Sequence, residues 1–225
     1  MKWSELIDDV LQRARHDSER KQGRSRRTEQ QIVGAALRVF GRDGISRSRI
    51  SDIAAEAGIA TSTLYEYHTN KEDIAYAVPR AYLYAFYEEF AEAVAGKQSA
   101  KDRIRVYISL LADFVRRNPQ WARLFYLEIW PSVLVSETDL SESVDDFARI
   151  VIFLIRQGID EGEWSRRLDP YETAAILIGS LNHMVITWLL HRRPKNLTKA
   201  GGDIVERMLT LLDLEGSKMG KAVAH

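Results

Sequence analysis

The chain has no cysteine among its 225 residues. Disulfides, thiol nucleophiles and cysteine-ligated zinc are therefore excluded together, and a reducing, cytoplasmic compartment is the expected setting. Proline is scarce, with five in all, and period-two alternation is missing, so nothing signals a sheet. No uninterrupted apolar run approaches the roughly 18 residues that cross a bilayer, and no membrane partner is expected. The opening stretch MKWSELIDDV carries acids where an export signal would be apolar. Net charge is also lacking, since 32 basic residues balance 32 acidic ones.

The marks of catalysis are equally thin. His16, His68, His183, His191 and His225 are too scattered for a metal pair on one helix. No glycine-rich phosphate loop follows a strand, and no G-x-S-x-G elbow occurs. No catalytic residue, metal site or cofactor is expected.

What is present is helical pattern and one local charge imbalance. Residues 20–49 hold nine Lys or Arg against Glu29 and Asp43. Such a block is an electrostatic footprint for nucleic acid that the neutral total conceals. Residues 1–27 read as a basic, flexible extension, with Arg20–Arg27 either a minor-groove arm or a disordered tail. A helix is expected from Thr28, by its capping-box spacing to Gln31, with Ile32, Ala35, Ala36, Val39 and Phe40 inward. A second helix, capped by Ser48, turns Ile50, Ile53, Ala54 and Ala57 inward and ends at Gly58. A short third helix follows from about Thr61 to His68, anchored by Leu64. Thr69 and Glu72 then have the spacing to cap a long helix over 70–95, where Pro79 either kinks it or divides it in two.

Two short helices joined at a glycine, with small Ala54 beneath the crossing, form a helix-turn-helix. Gly58 supplies the left-handed backbone of the turn. The run RTEQQIVGAALRVFGRDGISRSRISDIAAEAGIATSTLYEYHTNKEDI resembles the N-terminal domain of the TetR (tetracycline-repressor-like) family. The matching residues are Ala35-Ala36 before Phe40, Gly44, Ile50-x-x-Ile53-Ala54-x-x-Ala57-Gly58, Leu64-Tyr65 and Lys71-Glu72. The chain departs from that pattern at Ala60, Ser62 and His68. The resemblance implies an all-α fold, with an N-terminal three-helix helix-turn-helix domain and a larger C-terminal helical domain for ligand binding and dimerisation. By the same resemblance Arg47, Ser48, Arg49, Thr61, Ser62, Thr63, Tyr65, Tyr67 and Lys71 are the candidate DNA-binding residues.

Beyond that unit, helices are expected over 99–117, 119–130, 141–161, 170–192 and 199–213, with a loop at 131–140. The domain reading is 1–27 extension, 28–75 DNA-binding, 76–215 effector-binding and dimerisation, and 216–225 frayed tail. Helix 170–192 is apolar nearly all round, so part of it is expected to face a second copy, together with 199–213. Aromatic residues crowd 82–130, and the candidate effector residues are Tyr107, Phe114, Trp121, Phe125, Tyr126, Phe147, Asn182 and His183, with Glu128 as a further polar group. The function these readings predict is a homodimeric regulator, most simply a repressor. An apolar or aromatic small molecule, acyl-type included, would release it from a palindromic operator, with helix 70–95 as the lever. The alternatives are a ligand-independent DNA-binding regulator and a helical protein-interaction module.

Overall fold

The computed structural model describes the backbone of residues 3–19, 23–130 and 139–218, and the side chains of 3–12, 26–130 and 146–213. All of its regular elements are helices. The chain packs as two compact units, Met1–Glu88 with Asn118–Ser143, and Glu89–Arg117 with Val144–His225.

The first unit opens with α1 (Trp3–Glu19), whose Leu6, Ile7 and Val10 are buried at the helical spacing seen in the sequence. Helix α2 (Gly23–Asp43) follows. The expected flexible extension is thus helical wherever it is described, because three apolar residues on one face of α1 find cover. Residues 20–22, which include two of the expected arm's basic residues, lie outside the described region. The start at Thr28 is also corrected: α2 begins five residues earlier, so Thr28 and Gln31 sit inside a helix and cap nothing. Ile32, Ala35, Ala36, Val39 and Phe40 are all buried, as their spacing requires.

Helix α3 (Ile50–Ala57) is capped at Arg49, not Ser48, with the Arg49 amide donating to Asp52 Oδ2 at 3.2 Å. Ser48 lies one residue before the cap, and its hydroxyl donates to the Gly44 carbonyl at 2.6 Å. Gly58 ends α3 at φ 69°, in the left-handed region that disfavours a Cβ. Helix α4 is five residues long (Thr61–Tyr65), with Ala60 as its N-cap. Helix α5 (Lys71–Ala93) is started by Asn70, whose Oδ1 accepts the Asp73 amide at 2.7 Å. The Thr69–Glu72 box is not used; the Thr69 amide reaches Asp73 instead. Pro79 is buried inside α5, and the helix runs on without division. Helix α7 (Pro119–Arg123) continues into a π-helical turn over Leu124–Ile129, closed by the Trp130 amide on the Phe125 carbonyl. The expected loop at 131–140 lies outside the described residues up to 138.

The second unit holds α5 from Glu89 onward, α6 (Ala100–Arg117), α8 (Asp139–Asp160) from Val144, α9 (Pro170–His191) and α10 (Leu197–Lys218). Ser99 caps α6 by accepting the Asp102 amide at 3.0 Å, and Glu163 reaches across to accept the Ala100 and Lys101 amides. Asp169 caps α9 by accepting the amides of Tyr171 and Glu172. Helices α6 and α10 lie in close contact at Gly201, where a Cβ would stand 2.9 Å from the Ala112 methyl. Beside that contact Arg105 pairs with Glu206, and Lys101 with Asp213. At the end of α8, Gly158 lies so tightly under Trp164 that a Cβ would overlap the indole. Helix α10 extends through Lys218, past the expected start of a frayed tail; residues 219–225 lie outside the described region.

Candidate nucleic-acid interface and effector region

The helix-turn-helix is built on small contacts. Ala54 is buried at the α3–α4 crossing, and its carbonyl accepts the Ile59 amide at 3.1 Å. Leu64 is the one buried residue of α4 and fixes which face points out. That outward face carries Thr61, Ser62 and Tyr65, the last 53% exposed, while Thr63 and Tyr67 are half-buried. Hydroxyls are thereby concentrated on a helix too short to bury more than one side chain.

The loop 44–49, which leads into α3, is held from several sides. Gly44 ends α2 at φ 78° and donates to the Phe40 carbonyl. Arg47 Nε donates to the Asp43 carbonyl at 2.8 Å, leaving its side chain at the surface. Lys71 Nζ donates to the carbonyls of Ser46 and Ser48, each at 3.2 Å. Ser48 is 4% exposed. Of the nine residues singled out in the sequence, Ser48 and Lys71 therefore build the loop with their polar atoms. Arg47, Arg49, Thr61, Ser62 and Tyr65 present theirs to solvent. Arg38 and Arg42 are exposed but both pair with Glu56, at 2.6 and 3.9 Å, which ties α2 to α3. His68 is buried, with Glu29 Oε1 3.1 Å from Nε2 and Asp73 Oδ2 3.5 Å from Nδ1, and serves as packing between α2 and α5.

The candidate effector residues fall into two aromatic groups. In the first unit Tyr82, Trp121 and Phe125 stack in sequence, with centroids 5.9 and 5.3 Å apart, and Tyr126 and Trp130 meet Phe125 edge-on. Burial pushes the phenols of Tyr82 and Tyr126 above their usual ionisation range, so both stay neutral. In the second unit Tyr107 meets Phe90 edge-on at 4.8 Å and Phe147 at 5.2 Å, and its hydroxyl donates to the Phe147 carbonyl. Phe114 is buried nearby in sequence on α6. Asn182 is half-buried, and His183 lies on the exposed stripe of α9 that also carries Ile176, Gly179, Ser180 and Leu190. A cavity of about 450 Å³ lined by Asp113, Arg116, Trp188 and residues 195–198 holds none of the candidate effector residues.

Helix α9 has a mean hydropathy of 1.6 over its most apolar window, enough by length and composition for a membrane span, and 39% of that window is buried. Its isolated polar residues break the apolar run without lowering the average much. The Glu128 expected to serve an effector instead accepts the Ile45 amide at 2.9 Å. The one visible sequence signal for this was a lone charge inside the aromatic run FYLEIW.

A buried small-residue crossing, a left-handed glycine turn and an outward hydroxyl-bearing helix define a helix-turn-helix DNA-binding protein. The chain belongs to the TetR family: the family model for bacterial regulatory proteins of the tetR family matches residues 32–78, and that for the YsiA-like protein C-terminal region matches 80–211. The fatty acid metabolism regulator protein of Bacillus subtilis is 27% identical over 180 residues, which is 80% of this chain and 93% of that protein. The crystal structure of the transcriptional regulator FadR from Bacillus subtilis in complex with stearoyl-CoA superposes with a TM-score of 0.72 at 26% identity, covering 80% of this chain and 97% of that one. The regulator RutR of Escherichia coli is 31% identical over 138 residues, 56% of this chain and 61% of that protein. The protein is therefore a ligand-responsive, DNA-binding transcriptional regulator that dimerises, and not an enzyme.

Proposed function

We propose that the protein is a cytoplasmic repressor which leaves a palindromic operator when it binds a long-chain acyl thioester of coenzyme A. The likeness to a regulator crystallised with stearoyl-CoA, across nearly its whole length, carries this reading. The two aromatic groups supply apolar surface of the kind an acyl chain requires. Residues 28–75 read DNA, and 76–215 bind effector and dimerise.

Arg47, Arg49, Thr61, Ser62, Thr63, Tyr65 and Tyr67 touch the duplex, the arginines at phosphates and α4 in the major groove. Ser48 and Lys71 position the loop that carries the arginines. Tyr107, Phe114 and Phe147 in one unit, and Trp121, Phe125 and Tyr126 in the other, are the aromatic residues proposed to answer to the effector. Helices α9 and α10 form the dimer contact through the exposed stripe of Ile176 and Leu190 and through Leu211, 56% exposed. Paired recognition helices then meet half-sites roughly 34–36 Å apart. Effector binding moves α5, and a coupling of about 1–3 kcal/mol lowers operator affinity roughly 5–150-fold.

The test is operator binding across a salt series, with stearoyl-CoA, decanoyl-CoA or free coenzyme A added. Salt-steep binding that stearoyl-CoA alone releases supports the proposal. Binding that all three leave unchanged means a constitutive regulator, and absence of binding at low salt removes the DNA reading.

A further inference from the structure

The segment after α6 belongs by sequence to the matched C-terminal region, which begins at residue 80. By packing, Asn118–Ser143 belongs to the compact unit that contains the helix-turn-helix. Where this segment meets the loop 44–49, one polar side chain makes the connection. Glu128 Oε2 accepts the Ile45 amide at 2.9 Å, and the same oxygen lies 3.8 Å from where a Gly44 Cβ would stand.

The donor is informative. A helix that ends in a left-handed glycine can satisfy its last carbonyls with two amides, that of the glycine and that of the residue after it. In α2 the Gly44 amide closes on the Phe40 carbonyl, while the following amide, Ile45, is given to Glu128. The end of α2 is therefore closed by the Gly44 amide alone of these two, and the Ile45 amide is held by a carboxylate 83 residues away in sequence. The acceptor is informative too. Glu128 sits in the π-helical turn Leu124–Ile129, whose wider winding shifts its residues around the axis relative to an α-helix. Leu124, Phe125, Tyr126 and Ile129 of this turn are buried, and Glu128 is its exposed residue. Phe125 and Tyr126 join Trp121 and Trp130 in one aromatic stack. The same short turn thus holds an aromatic stack with one set of side chains and the loop before α3 with another.

We propose that Glu128 is the positioning residue that couples this aromatic turn to the DNA-reading loop. Any rearrangement of the stack that rewinds the π turn withdraws or reorients the carboxylate, freeing the Ile45 amide. The loop 44–49 then loses one of its anchors beside Arg47 and Arg49, and keeps those from Ser48 and Lys71. The inference rests on the regulator reading above and adds a residue-level route to it. Linkage makes it reciprocal: operator binding must also change the aromatic turn.

The experiment uses the full-length protein and an operator selected from random duplex DNA. Amide exchange over 124–130 is followed with and without operator for the wild type, Glu128→Ala and Glu128→Gln. In the wild type operator binding changes exchange in this turn. In Glu128→Ala that change is lost, while protection of α3 and α4 by DNA persists. In Glu128→Gln, whose amide oxygen still accepts a hydrogen bond, it returns. A parallel arm measures release by stearoyl-CoA, which falls from the wild-type ratio to under about threefold in Glu128→Ala. Retention of the operator-induced change in Glu128→Ala overturns the proposal, as does its absence from the wild type. Failure of stearoyl-CoA to release the wild type overturns only the effector assignment, because the exchange arm needs no effector.

Discussion

Helices α4 and α9 both leave much of their surface uncovered, and they do so with opposite chemistry. Helix α4 has five residues and buries Leu64 alone, exposing hydroxyls and a tyrosine. Helix α9 has 22 residues and exposes Tyr171, Ile176 and Leu190 at 61%, 59% and 53%. A short polar face suits a hydrated, charged partner, since each phosphate contact replaces water with another polar group. A long, largely apolar stripe that also carries Gly179, Ser180 and His183 suits a copy of itself, where apolar surface leaves water on both sides. On the proposed function the two helices divide recognition between the operator and a second copy of the chain.

The contrast can be broken most severely at α9. Ile176→Glu places a carboxylate in the proposed dimer contact, where an uncompensated charge costs about 3–5 kcal/mol. Sedimentation should then report a monomer, and operator affinity should fall by more than about 100-fold with the monomer still folded. A dimer of undiminished stability would place the interface elsewhere.

The next largest effects separate two kinds of glycine. Gly158→Ala must displace the Trp164 indole, and overpacking of this kind costs about 1–3 kcal/mol. Gly58→Ala meets no atom within 4 Å, yet its φ of 69° costs about 1–2 kcal/mol by backbone strain alone. Thermal unfolding should show both losses. Gly58→Ala should in addition weaken operator binding, because its strain lies in the turn that aims α4.

A subtler pair sharpens the account of the DNA face. Arg49→Ala should lower the slope of log affinity against log salt by about 0.9, the value for one phosphate contact. Lys71→Ala should weaken binding without changing that slope, because its ammonium holds the Ser46 and Ser48 carbonyls. A slope change in Lys71→Ala would return it to the phosphate-binding set. The smallest effect is on acid stability. Arg105 holds the Glu206 carboxyl below its usual range, and Arg116 and Arg117 hold Asp113 below its own against an opposing desolvation. Folded chains then bind fewer protons than unfolded ones as pH falls, so this stabilisation is complete above about pH 5 and is lost below it. Salt should blunt the effect because the pairs are exposed.

The DNA-reading unit was legible in the sequence because its constraints are local. Ala54, Gly58 and Leu64 are fixed by a crossing, a turn and an anchor that fall within eleven residues. Layout beyond it was legible by helical period, and in the structure Ser99 and Asp169 cap two of those helices. What escaped were competitions decided at a distance. Ser48 has the chemistry of a cap, but the helix starts one residue too late for it, and its hydroxyl turns back to the Gly44 carbonyl. Thr28 has capping spacing, but nothing ends α2 there, so the helix extends back to Gly23. Glu128 read as a pocket residue from its aromatic neighbours, and its partner lies 83 positions away.

The exposed stripe of α9 carries a consequence for dosage. A chain that must pair before it can grip two half-sites makes its own abundance an input to the switch. While most chains are single, doubling their number raises the paired form roughly fourfold by mass action. A modest change in synthesis of the regulator would then be felt at the promoter more sharply than in proportion, before any effector is bound.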